Sequence, residues 1–167
     1  MTPLFVLLAT FVIAVFTIKI IRKDYDMALA ARIAMSVMLL FTSIGHFAYT
    51  EGMTMMMPDF IPHKKQFVYF TGVIEILAGI GLQVPRLRVL TAWMLILFFV
   101  LVLPVNINAA IKHVDYQKAT SEGSGTNYLW FRVPLQILFI AWTYMSSIKY
   151  RHKLQDAKPI RPDTGSR

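Results

Sequence analysis

Glu75 is the acidic residue within the apolar stretch from Gln66 to Pro85, and ionisable groups in such surroundings need a partner or a purpose. It lies nine residues past Gln66, about 13–14 Å along a helix and near the middle of a bilayer-length segment. Thr71, Glu75 and Gly79 share one helical face by i, i+4 spacing, and Gly72 adds a second small residue where a neighbouring helix could approach. Such a carboxyl can cement a bundle, relay protons or meet the polar end of a ligand. In the preceding apolar segment Arg32, Ser36, Leu39, Thr42 and His46 fall close to one stripe. Arg32, near one border, is expected to snorkel. His46, about one turn from the other end, can serve as a hydrogen-bonding residue or an acid/base group.

Further along, Pro104 interrupts an apolar run and is followed by Asn106 and Asn108. Proline frees helix carbonyls, so the two amides can pair with those groups or face a cavity. Arg132, four residues before Gln136, is placed to pair with an acid or an anionic headgroup. His46, Glu75, Asn106, Asn108 and Arg132 are therefore the candidate ligand-binding residues, clustered toward one side of a membrane. No catalytic assignment follows from them. The segment Met53-Thr54-Met55-Met56-Met57-Pro58-Asp59-Phe60-Ile61-Pro62-His63 has thioethers that could bind Cu(I). Flexible packing explains them more simply. Pro58 and Pro62 exclude a long helix and favour a re-entrant or interfacial segment. No metal site is expected, and no zinc, haem or iron–sulfur signature is present. Cofactors stay unassigned. Cysteine is absent, which excludes a thiol mechanism carried by this chain alone.

The elements that position these residues follow from the distribution of charge. Met1 to Ile18, Ile33 to Thr50 and Val89 to Ile111 contain no Asp, Glu, Lys or Arg; Gln66 to Pro85 carries only Glu75, and Asn127 to Ile148 only Arg132. Stretches near 20 residues match a hydrocarbon core of roughly 30 Å. The expected fold is all-α, a polytopic membrane helix bundle of five spans near residues 3–21, 27–49, 66–84, 89–111 and 128–148. The first lacks the basic n-region and cleavage site of a signal peptide and is expected to remain uncleaved. No internal repeat is evident, which argues against an alternating-access transporter.

With the N-terminus outside, eleven basic residues flank the cytoplasmic ends and four lie in outer loops, a positive-inside bias. The formal charge of +8 thus reads as a topology signal and an attraction to membrane lipids, not as a nucleic-acid footprint. The segment from Lys118 to Thr126 reads as a flexible polar linker, and residues 151–167 as a disordered basic tail.

Several short pieces in order resemble the DoxX-like family of small integral membrane proteins. They are Gly45-His46-Phe47, Met57-Pro58-Asp59-Phe60-Ile61-Pro62, Thr71-Gly72-Val73-Ile74-Glu75-Ile76, Gly79-Ile80-Gly81-Leu82, Pro85-Arg86 and Leu103-Pro104-Val105-Asn106-Ile107. The resemblance implies a four-helix core over 25–150, with residues 1–24 as an additional N-terminal helix. It also implies a bacterial inner membrane, and a pocket lined by His46, Glu75 and Asn106 for a lipophilic ligand such as a quinone or isoprenoid lipid. The chain could then serve as an accessory subunit of a membrane redox complex. A structural or chaperone-like subunit with a membrane-protein partner, and a proton-transfer enzyme using Glu75 and His46, are the alternatives.

Overall fold

The computed structural model describes residues 2–123 and 125–149. It is helical throughout: α1 (Thr2–Arg22), α2 (Met27–Ala48), α3 (Thr50–Met56), α4 (Lys64–Gly81), α5 (Arg88–Ile111) and α6 (Asn127–Thr143), with a π-helix at Tyr144–Lys149 continuing α6. Among the described residues no strand forms, and the isolated bridge between Asp115 and Thr120 is part of a loop. The expected tail at 151–167 lies outside the described residues.

Three helices, α1, α2 and α5, are long and apolar enough to cross a membrane. The five-span expectation is met only to that extent. α4 has 18 residues but opens on Lys64 and Lys65 and also holds Glu75, and α6 has 17. Large apolar side chains stay outside: Phe5, Ile20, Leu101 and Ile137 are all more than 60% exposed. That outward face is what a chain covered by lipid rather than water would carry.

The core is a seam in which alanines alternate with larger aliphatic, thioether and aromatic side chains. Leu7 of α1, Ala34, Met35, Met38 and Leu39 of α2, and Ala78 of α4 meet Ala92, Leu95 and Phe99 of α5 and Leu135 and Phe139 of α6. α2 is the central element, packed against α1, α4 and the π-helix. Its start is fixed by Asp26, whose side chain accepts from the Leu29 amide at 2.8 Å and satisfies one of the orphan donors of the first turn. α6 is tied to the same end of α2. The Trp142 indole donates to the Ala31 carbonyl at 3.0 Å while Phe11 of α1 meets its ring edge-on.

Arg32 does not snorkel. It is buried, and its Nη1 donates to the Ser146 carbonyl at 3.0 Å. A buried guanidinium needs acceptors, and the π-helix supplies one, since its wider turn shifts carbonyls out of the α-helical ladder.

The Met-rich segment is not a plain loop. It forms the short helix α3, with Met56 and Met57 buried. Pro58 ends it, and the chain reaches α4 through His63 in a left-handed conformation. Asp59 lies in this connection and accepts from Lys64 at 3.0 Å and from Lys112, at the end of α5, at 2.8 Å. The expected linker is also partly folded: Asp115 and Thr120 exchange backbone hydrogen bonds, and the Asp115 side chain accepts from the Gln117 and Lys118 amides. An aspartate capping its own turn orders residues 115–120, which overlap only the start of the expected linker.

The hydrogen bonds and positive charges of Lys112 and Lys64 hold the Asp59 carboxyl down at about 2. A depressed folded-state value means that the clasp stabilises the fold above the ordinary carboxylate range, near 3.8, and that this contribution is lost as pH falls toward 2. Carbon-13 NMR of the Asp59 carboxyl should show a midpoint about 2, moving up toward the ordinary value in Lys112→Ala. An unshifted midpoint in that variant would remove the clasp.

Candidate functional site

α2 and α4 run antiparallel, and their contact is organised by two glycines one turn either side of Glu75. A Cβ at Gly79 would lie 3.3 Å from the Ser36 carbonyl oxygen, and one at Gly72 would lie 3.0 Å from His46 Cβ. Neither position has room for a larger side chain, which lets the backbones approach closely. At the Gly79 end the Ser36 hydroxyl donates to the Gly79 carbonyl at 2.7 Å, and Gln83 Nε2 donates to Ser36 Oγ at 2.8 Å.

Between the glycines, Glu75 meets His46. Glu75 Oε1 stands 3.4 Å from His46 Nε2, with side-chain exposures of 9% and 16% respectively. The other ring nitrogen, Nδ1, is 3.2 Å from Thr71 Oγ1, and the Thr71 hydroxyl donates to the Val68 carbonyl at 2.8 Å. With the Thr71 proton committed to Val68, the hydroxyl accepts from Nδ1–H. Nε2 then shares one proton with the carboxyl, either as imidazole facing carboxylic acid or as imidazolium facing carboxylate. Glu75 Oε2 is buried and has no hydrogen-bond partner among the described residues.

The other candidate residues occupy different interfaces. Asn106, buried on α5, donates to Gln136 Oε1 of α6 at 3.2 Å, and its own Oδ1 is buried without a hydrogen-bond partner among the described residues. Gln136 Nε2 in turn donates to the Phe99 carbonyl, one residue before the carbonyl that Pro104 deprives of its helical donor. Asn108 Nδ2 donates to the Met56 carbonyl at 2.7 Å and so pins α3 to α5. Arg132 is half-buried on α6, one turn before Gln136. The structure thus joins His46 to Glu75 across α2 and α4, while Asn106 and Asn108 make their contacts at α5–α6 and α3–α5.

Sequence reasoning missed Gln136 as the residue that bridges α6 to Asn106 and to the Phe99 carbonyl of α5, although its place one turn past Arg132 in an apolar run marked it as polar and in need of partners. It placed Thr71 on the Glu75 face but not against His46. Two surface clefts lie toward the loop layer, and none of the five candidate residues lines either one. Among the described residues no cluster of three or more His, Cys, Asp or Glu side chains could hold a metal.

A family model described as a domain of unknown function (DUF8561) matches residues 35–147, more than half of the chain. The chain belongs to this family. The DUF8561 match overturns the DoxX-like resemblance, since no DoxX family model matches. The pieces that carried the resemblance are short apolar runs punctuated by Gly, Pro and a polar residue. Helical turns and close helix contacts demand these in many unrelated bundles. The DUF8561 region takes in α3 to α6 and most of α2, including His46 and Glu75, and leaves out α1 and Arg32. No curated protein matches the chain, and no solved structure does.

Proposed function

We propose that this DUF8561 member is a membrane-embedded binding protein for a lipophilic small molecule with a polar head, of the quinone or isoprenoid-lipid class. The observation that carries the reading is Glu75 Oε2, a buried carboxyl oxygen whose twin faces His46 and which has no partner among the described residues. A buried polar atom left unpaired costs about 1–3 kcal/mol, so such an atom is a natural place for a donor supplied from outside the chain. With the shared proton held between Oε1 and His46 Nε2, Oε2 is an acceptor in either state and takes a hydrogen bond from a hydroxyl of the ligand. A proton exchanged with a bound quinone would use the same pair, as part of a larger redox assembly.

A purely structural role is the second reading, and the close contact of Gly72 with His46 favours it, because a tight seam leaves little space beside the pair. The two readings separate experimentally. Protein purified in mild detergent and extracted for lipid mass spectrometry should contain one enriched lipophilic species that Glu75→Ala loses and Glu75→Gln reduces. Extracts holding only bulk phospholipid, in wild type as in Glu75→Ala, would leave the structural reading.

The same proposal takes α4 and the continuous α6–π-helix unit as two further crossings, with the N-terminus outside. Support comes from the excess of basic residues at one set of helix ends. Because the chain has no cysteine, single-cysteine labelling is clean: Lys118→Cys should react with an impermeant maleimide on intact cells and Arg86→Cys only after permeabilisation. The reverse pattern would invert the topology.

A further inference from the structure

We propose that the cleft between α3, the start of α4 and the 115–120 turn binds the phosphate-bearing headgroup of an anionic lipid. This site is separate from the Glu75 reading and does not rest on it.

The cleft holds about 380 Å³, near the lower limit of small-molecule sites, enough for a headgroup and too small for a whole lipid. Its walls are two aromatic pairs. Phe47 stacks on Tyr69 with ring centres 5.7 Å apart, and Tyr49 meets Tyr116 edge-on at 6.2 Å. Two ammonium groups, Lys65 and Lys118, line it against one carboxylate, Glu51. Lys65 and Glu51 stand 3.8 Å apart with both side chains at least 66% exposed, a loose pair that a better anion can displace. The local charge is therefore positive, with Lys65 at the start of α4 and Lys118 in the 115–120 turn, in a layer where aromatic and basic side chains meet lipid headgroups.

The cleft is built, not incidental. A Cβ at Gly52 would collide with the backbone carbonyl of Tyr116, so only glycine lets the 115–120 turn close over α3 and bring Tyr116 and Lys118 to the site. The turn itself is held by Asp115. Below the cleft, Val73 and Ile80 lie on the same face of α4 as Lys65 and Tyr69 and are exposed, so an apolar surface runs down the helix from the site. A free phosphate would make no use of that surface, whereas the acyl chains of a lipid would lie along it.

Isothermal titration in neutral maltoside micelles tests this with three probes: short-chain phosphatidic acid, short-chain phosphatidylcholine and inorganic phosphate. Phosphatidic acid should bind in preference to the other two, and Lys65→Gln with Lys118→Gln should weaken it about tenfold. Glu51→Gln should instead tighten it several-fold, a gain that a misfolded variant does not give, and Lys19→Gln at the opposite end should leave it unchanged. Equal binding of phosphatidylcholine, or a Glu51→Gln variant no tighter than wild type, would overturn the site. Inorganic phosphate binding as tightly as the lipid would overturn the headgroup as its ligand.

Discussion

The close approach of α2 and α4 is the constraint on which the remaining arrangement depends. Two glycines set it, Gly72 against His46 and Gly79 against the Ser36 carbonyl, and between them the one acidic residue of the α4 apolar stretch is enclosed. A carboxyl in that position must be answered from the facing helix. His46 does so with one nitrogen while Thr71 holds the other. The geometry therefore fixes where a proton can reside, and it leaves Oε2 as the acceptor with nothing opposite. The Ser36–Gly79–Gln83 bonds lock the register at the far end of the same seam, so Glu75 cannot slide past His46 without breaking them.

Around this seam the other polar contacts act as ties between helices. Arg32 and Trp142 fasten the end of α6 and its π-helical extension to the first turns of α2. Gln136 secures α6 to α5 through the Phe99 carbonyl, and Asn108 secures α3 to α5. Asp59 closes the loop layer through Lys64 and Lys112. Each tie joins a side chain to a polar partner on another element. That is how polar residues are accommodated where water is scarce.

Helix positions were legible in the sequence because charge-free runs leave little freedom. The spans drawn around the three runs without Asp, Glu, Lys or Arg, at 3–21, 27–49 and 89–111, match α1, α2 and α5 to within about a residue at each end. The pairing of α2 with α4 was foreshadowed by Gly72 and Gly79 on the Glu75 helix, and His46 by its stripe on α2. What could not be read was whatever depends on a partner far away in the chain. Arg32 looked like a border residue because its acceptor, Ser146, is 114 positions on. The turn at 115–120 was not anticipated, because it closes through the Asp115 side chain and a backbone pairing with Thr120 at the edge of a segment, 118–126, whose composition describes a linker. The family resemblance failed for the opposite reason, because short Gly- and Pro-containing pieces look alike wherever helices pack closely.

The central claim is that His46 and Glu75 act as one coupled unit within the α2–α4 seam. A double-mutant cycle with His46→Ala, Glu75→Ala and the double variant, measured as unfolding free energy in mixed micelles, tests it most directly. Groups in direct contact couple by about 0.5–3 kcal/mol, so the double variant should lose less stability than the two single changes predict together. Additivity to within about 0.3 kcal/mol would show independent side chains and would contradict the account.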